Sequence, residues 1–349
     1  MKLPSLYALP KMHKAIPKMR YIAASNKCST KPLSKLITKC LKLITLQHRK
    51  LCTQIYRRTG VNRMWIVDNN SPVLDRIYEY NNNNTDKPKN VSSYDFSTLY
   101  TNIPHEHLKQ QMTWVINKAF YNKTYIYVNN YRATWYKRND AIKLTKEQLI
   151  NHISFLIDNI YIKIGNHIFR QRIGIPMGTD CAPFLANLYL YSLEYEFLDK
   201  AAKKNIFFAR KFSNSYRYID DLISFNNNNL INKYKHNIYP SQLILNKENK
   251  SNNHTTFLDI NITIKNTQII TNLYDKRDDF SFNINSFPFL ASNIHNKRTH
   301  GVLISQLIRF SKVCSLSKDF ITISNNLIHK LINQGFNYRL LRKESQYVL

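Results

Sequence analysis

The chain has 349 residues, enough for two or three domains. Lys and Arg number 51 against 22 Asp and Glu, and the formal net charge of +29 points to a polyanionic partner. A composition of 43% hydrophobic and 13% aromatic residues with only 6 Gly excludes a disordered basic tail. No apolar run approaches the roughly 18 residues of a membrane span, so no membrane partner is expected. The first seven residues lack the apolar stretch of a secretory signal. Five cysteines at 28, 40, 52, 181 and 314 form no C-x-x-C pair, which favours buried free thiols over a disulfide framework or a zinc site.

In chain order, Leu6 to Lys14 and Met19 to Ala24 read as two short strands joined by a basic turn around Pro17. Residues 1 to 67 hold 15 Lys and Arg and no acid; the first is Asp68. Within that stretch Pro32 to Gln47 reads as a helix, with Leu33, Leu36, Ile37, Cys40, Leu41 and Ile44 on its apolar face. Lys31, Lys35, Lys39 and Lys42 line another face, where like charges repel by a few tenths of a kcal/mol per pair. With no acid nearby, that stripe is expected to bind the phosphates of a nucleic acid. The competing reading is a plain solvated lysine face.

Val91 to Phe96 reads as a strand with Asp95 near its end. Pro104 opens a helix whose stripe is Leu108, Met112, Val115, Ile116 and Ala119. A helix over Glu147 to Ile160 and a hairpin to Arg170 follow. Thr179 or Asp180 is expected to cap a long helix reaching Asp199, and Pro183 is tolerated in its first turn. Tyr216 to Phe225 reads as strand, turn, strand, and 257 to 264 pairs with 268 to 274. Ser317 starts a helix ended by Gly335. The expected fold class is α+β, with a central antiparallel sheet, packed helices and a helical end.

Asp220 and Asp221 stand between apolar-aromatic strands, and Asp95 follows another strand. Taken alone, an Asp pair at a hairpin turn is unremarkable. Carboxylates converging from separate strands, however, make a hard-oxygen site suited to Mg²⁺. Two such ions can stabilise both oxygens of a phosphoryl displacement. Two of the chain's glycines, Gly174 and Gly178, lie in one loop running into a helix. Such a loop lets a flat object such as a base pair approach the backbone.

These residues resemble a family. Tyr216-Arg217-Tyr218-Ile219-Asp220-Asp221 is similar to motif C of reverse transcriptases, and Ser93 to Pro104, around Asp95, to motif A. Gly174-Ile175-Pro176-Met177-Gly178-Thr179 through Leu185-Ala186-Asn187 is similar to motif B. Leu9 to Lys14 with Arg20-Tyr21-Ile22 is similar to finger motifs 1 and 2, and Phe257 to Ile260 to the strand after motif D. The Pro-Met-Gly and Thr-Asn-Ile-Pro forms resemble Penelope-like retroelements, relatives of telomerase. The motifs run in order along nearly the whole chain.

The resemblance implies a right-hand polymerase: fingers over 1–88, palm over 89–275 with a second fingers segment near 120–172, and a helical thumb over 276–349. It implies an RNA-directed DNA polymerase that takes dNTPs and extends a DNA primer on an RNA template with two Mg²⁺ or Mn²⁺ ions. Asp95, Asp220, Asp221 and the carbonyl of Phe96 would hold the metals. Lys11, Lys14 and Arg20 would grip the triphosphate, Tyr100 would underlie the sugar, Met177 and Gly178 would touch the templating pair, and Tyr218 would flank the primer end. Lys247 is the candidate proton donor of motif D, and Leu273 to Arg277 a candidate primer grip. The chain starts almost at motif 1 and carries no endonuclease, RNase H or integrase pattern, so self-sufficient insertion is not expected, the nuclease being either supplied in trans or absent. An intracellular, nuclear setting is expected. The alternatives are a catalytically inactive remnant that binds nucleic acid and an RNA-directed RNA polymerase.

Overall fold

The computed structural model describes residues 2–11, 18–83, 88–249, 251–280, 282, 284–285, 287–293 and 301–345. The strands are β1 Ser5–Lys11, β2 Lys18–Ala24, β3 Val91–Ser97, β4 Tyr125–Val128, β5 Ala133–Thr134, β6 Ile142–Thr145, β7 Tyr161–Ile164, β8 His167–Arg170, β9 Ser215–Tyr218, β10 Asp221–Phe225, β11 Ile244–Lys247, β12 His254–Phe257, β13 Ile260–Lys265 and β14 Gln268–Leu273. The helices are α1 Lys31–Thr59, α2 Ser71–Asn82, α3 Leu99–Asn102, α4 His105–Ala119, α5 Lys146–Asp158, α6 Ala182–Lys204, α7 Ile206–Arg210, α8 Leu230–Ile238, α9 Gly301–Val313, α10 Ser317–Asn333 and α11 Tyr338–Ser345. The turn around Pro17, Lys14 and residues 294–300 lie outside the described residues.

The α+β expectation holds, and the chain divides into two units: Met1–Ile66 with Tyr94–Lys247, and Val67–Ser93 with Glu248–Leu349. In the first unit one sheet runs β2-β1-β7-β8, a second β11-β3-β10-β9 and a third β5-β4-β6. Helices α1, α4, α5 and α6 close a shared core that includes Ile37, Leu41, Ile44, Val115, Leu185 and Tyr189, all fully buried. Helix α1 extends twelve residues past the expected Gln47, until Gly60 adopts φ 68° and ends it. Thr145 and Gln148 form a reciprocal capping box at the start of α5.

In the second unit β12, β13 and β14 form a meander. The strand expected over 257–264 breaks at Leu258, which takes φ 54° and lets β12 fold back onto β13. Helix α2 packs on β14, and Asn81 bonds both backbone groups of Ile269 at 2.8 Å. Leu303, Leu307 and Phe310 of α9 pack with Leu327 and Leu331 of α10 and with Leu341 of α11. These units cut the chain elsewhere than at 88 and 275. Residues 67–93 and 248–275 group with the C-terminal helices in the second unit.

Three helices of the first unit meet at His48. Its Nε2 lies 2.9 Å from the carbonyl of Val115, and Nδ1 accepts from the Tyr191 hydroxyl at 3.0 Å. A carbonyl can only accept, so the proton resides on Nε2 and the ring is neutral. Burial drives the His48 pKa down from 6.5 to about 4, against the opposing bond to Val115. At neutral pH the ring is uncharged in both folded and unfolded states. As pH falls below 6.5, the unfolded chain binds a proton that the folded chain refuses until about pH 4. We therefore expect the urea-unfolding free energy to drop between pH 6.5 and 4, at about 1.4 kcal/mol per pKa unit of difference. A His48→Gln variant, which keeps one donor and one acceptor, should lose that part of the slope. An identical slope would place the titration elsewhere.

Candidate active site

The hairpin β9–β10 is closed by only two residues, Ile219 and Asp220, with Tyr218 paired to Asp221. Ile219 takes φ 55°, a left-handed conformation that a β-branched side chain rarely adopts. Thr98, three residues after Asp95, takes φ 61°. Strain of this kind costs about 1–3 kcal/mol per residue and persists where the surroundings enforce it.

The enforcing group at Ile219 is Arg217, a residue for which sequence reasoning assigned no role. It lies in β9 and is completely buried. All five of its N–H donors are used. Nε and Nη2 bond the two oxygens of Glu194 on α6 at 2.6 and 3.1 Å. Nη1 bonds Asn187 Oδ1 at 2.8 Å and the carbonyl of Ile219 at 3.0 Å, and Nη2 bonds the carbonyl of Asn187 at 3.1 Å. Tyr239 donates its hydroxyl to Glu194 at 2.9 Å. The signal was present in the sequence: an arginine inside an aromatic strand and a glutamate as the one charged residue in the run Leu185 to Tyr195. Opposite charges on two buried elements require each other.

Strand β3 lies beside β10, and the N–H of Phe96 donates to the carbonyl of Asp220 at 3.1 Å. Asp95 and Asp220 therefore leave adjoining stretches of backbone, with Asp221 next in line. All three are partly exposed and Phe96 is buried. Among the described residues no three Asp, Glu, His or Cys side chains already stand together as a metal cluster. The two motifs meet at this backbone contact. Asp220 occupies the turn while Asp221 begins a strand, where successive side chains point to opposite faces.

Tyr100 follows on α3, half-buried against the core, while Leu99 beside it is fully packed. Burial, then the charge of Asp220 and the neighbouring Tyr218, push the Tyr100 hydroxyl up to about 12. Tyr100, Tyr218 and Asp220 thus share one electrostatic neighbourhood.

The loop of Gly174 to Thr179 is tied down on two sides. Ile175 N–H donates to the carbonyl of Tyr100 at 2.6 Å, and Gly174 N–H to that of Ile103 at 2.8 Å. The carbonyl of Met177 accepts from Ala23 N–H at 2.8 Å, and the carbonyl of Gly178 from the Ser25 hydroxyl. Gly174 has φ 83°, and a Cβ there would meet the Tyr100 carbonyl oxygen at 2.5 Å. Gly178 has φ 114°, and a Cβ there would collide with the Ala23 carbonyl. Both glycines are therefore required by the chain's own backbone, whereas the sequence suggested room for a base pair. Arg20 is exposed on β2, opposite Leu9, and Lys11 ends β1. Lys247 ends β11, paired with Tyr94. Within the second unit, Arg277 is held by Asp275 at 2.6 Å.

Three lysines of the α1 stripe have contacts within the chain. Lys31 pairs with Asp180 at 3.0 Å. Lys39 donates to the carbonyls of Asn129 and Asn130 at 2.8 and 2.9 Å, and Lys42 lies 5.7 Å from the centroid of the Phe184 ring. Partners from far along the chain replace the acids that the segment lacks. Of the four, Lys35 and Lys42 are exposed.

No protein-family profile and no curated protein matches the chain. Solved structures do. Telomerase from Candida albicans, in complex with a TWJ fragment of telomeric RNA, is 13% identical with a TM-score of 0.62 over 99% of this chain and 56% of that one. Apo telomerase from Candida tropicalis is 16% identical with a TM-score of 0.56 over 98% and 57%. The Candida tropicalis enzyme in complex with a TWJ fragment of telomeric RNA gives 13%, 0.53, 99% and 62%. The chain spans somewhat over half the length of these proteins, and its fold is the right-hand polymerase fold.

Truncating Arg217 would leave Glu194 charged and buried. Arg217→Met should destabilise the fold by about 3–5 kcal/mol in urea unfolding. Adding Glu194→Leu should recover part of that loss, because the stranded charge goes with it. A double variant no more stable than the single one would show that the pair is not coupled.

Proposed function

We propose that the chain is an RNA-directed DNA polymerase of the Penelope-like type, which adds dNTPs to a primer 3′-hydroxyl on an RNA template. The observation that carries this reading is the junction of β3 and β10, where Phe96 N–H meets the Asp220 carbonyl on a strained, arginine-backed turn. The polymerase fold and the motif order support it.

Asp95 and Asp220, with the carbonyl of Phe96 and with Asp221, would hold two Mg²⁺ or Mn²⁺ ions. A donor set of carboxylates and a carbonyl, all hard oxygens, fits those cations. When bound, such ions stabilise the attacking and leaving oxygens of an in-line displacement. Arg20, Lys11 and Lys14 neutralise the triphosphate. Tyr100 sits under the nucleotide sugar, Met177 and Gly178 border the templating pair, and Tyr218 flanks the primer end. The fixed loop from Gly174 to Gly178 keeps these groups in register, since it is bonded both to the turn after Asp95 and to β2. A nuclear setting accompanies this reading. No helix among the described residues is long and apolar enough to cross a membrane.

Asp220→Asn removes a charge without changing shape. It should lower primer extension on an RNA template by more than about a thousandfold, or roughly 4 kcal/mol, while template–primer affinity stays constant. Retained extension in that variant would overturn the assignment.

The 2′-hydroxyl separates ribonucleotides from deoxyribonucleotides at the sugar. Tyr100→Ala should raise rNTP use relative to dNTP by at least about tenfold, or ~1.4 kcal/mol. Single-nucleotide extension with each substrate measures this. A proportional loss with both would make Tyr100 a packing residue.

A further inference from the structure

The sheet β5-β4-β6 has two unlike faces. Ile126, Val128 and Leu144 point inward and are at most 5% exposed. The opposite face carries Tyr125 and Tyr127 on the central strand, with Thr134 and Lys143 paired across from Tyr127. Lys143 Nζ lies 3.6 Å from the centroid of the Tyr125 ring. Tyr131 in the β4–β5 turn, Tyr136 two residues past β5 and Tyr121 four residues before β4 are exposed by 89%, 81% and 74%. They are the three most exposed large hydrophobic side chains among the described residues, and all lie within residues 121–136.

These rings are displayed on a fixed scaffold. Asn129 Oδ1 accepts from the N–H groups of Tyr131 and Arg132 at 3.0 and 2.9 Å, which shapes the turn that carries Tyr131. Lys39 of α1 fastens the same turn through two carbonyls. Trp135 is anchored edge-on against Phe120 at 5.1 Å. The surroundings are basic: residues 121–146 hold six Lys and Arg and one acid, Asp140. That acid is engaged by Arg138 and Asn129.

We propose that this face is a second nucleic-acid site, one that binds single-stranded RNA or DNA by stacking unpaired bases on the tyrosines. Each base offers a π-face to a ring whatever its identity, and nearby lysines and arginines neutralise the backbone. A duplex hides its base faces and gains only the charge term. The excess of positive charge over a tyrosine-rich surface favours a nucleic acid over an apolar protein segment. The site is separate from Asp95 and Asp220, and its chemistry does not depend on their role.

The full chain is titrated, without metal or nucleotide, against fluorescent oligouridylate and oligothymidylate of about twelve nucleotides and against a duplex of equal length. Tyr121→Ala, Tyr131→Ala and Tyr136→Ala combined should weaken both single strands by about thirtyfold or more and the duplex by less than about threefold. The same three positions changed to Phe should bind within about threefold of the natural chain, since the ring remains. Unchanged single-strand affinity in the alanine variant overturns the proposal. So does an equal loss for the duplex, which would reduce the face to a general positive surface. Because no catalysis is read, failure here leaves the polymerase reading standing, and an inactive polymerase leaves this result intact.

Discussion

Two opposite charges, Arg217 and Glu194, are shut away from water between β9 and α6. Taking either one out of water is expensive, and their attraction repays the cost only with good geometry and complete hydrogen bonding. Here both conditions are met: five donors find five acceptors, and Glu194 also takes the Tyr239 hydroxyl. An apolar pair could fill the same volume, but it could not grip the Ile219 carbonyl or the Asn187 amide. The arginine converts core burial into the placement of one turn. Its planar fork is rigid, so lysine is no equivalent. Helix α6 thereby positions the residue that precedes Asp220, and the sheet inherits its register from there.

The glycine loop supplies a second constraint of the same kind. Gly174 and Gly178 let backbone meet backbone, and each contact is secured by a hydrogen bond to a different element. The turn after Asp95, the loop before α6 and strand β2 become one bonded assembly. A side chain at either glycine would push two of these apart. Geometry at this site is therefore held by main chain and by one buried ion pair.

Much of this was legible beforehand. Periodicity located α1, α4 and α10, and the strand–turn–strand pattern located the β9–β10 hairpin; α6 was expected from a cap at Thr179 or Asp180, whereas it starts at Ala182 after Cys181. Motif order singled out Asp95 and Asp220, whose strands or turns prove to be neighbours. Three things were hidden. Arg217 and Glu194 are 23 residues apart, and only the packing of β9 on α6 shows that they face one another. The lysine stripe looked unpaired because its partners, Asp180 and the carbonyls of Asn129 and Asn130, lie 149, 90 and 91 residues downstream. Local spacing carries no information about contacts of that range. The strands β4 to β6 are two to four residues long, too short for alternation to announce them.

Those distant partners have a consequence for synthesis. The chain emerges from its N-terminus, and its first 67 residues carry 15 positive side chains and no negative one. Lys39 must wait for Asn129, and Lys31 for Asp180. Until Asn129 and Asp180 have been made, neither lysine can form these contacts. Contacts of such long sequence separation also form slowly, because the loop must close before the bond rewards it. The order of synthesis thus makes the docking of Lys31 and Lys39 a late event in the chain's folding.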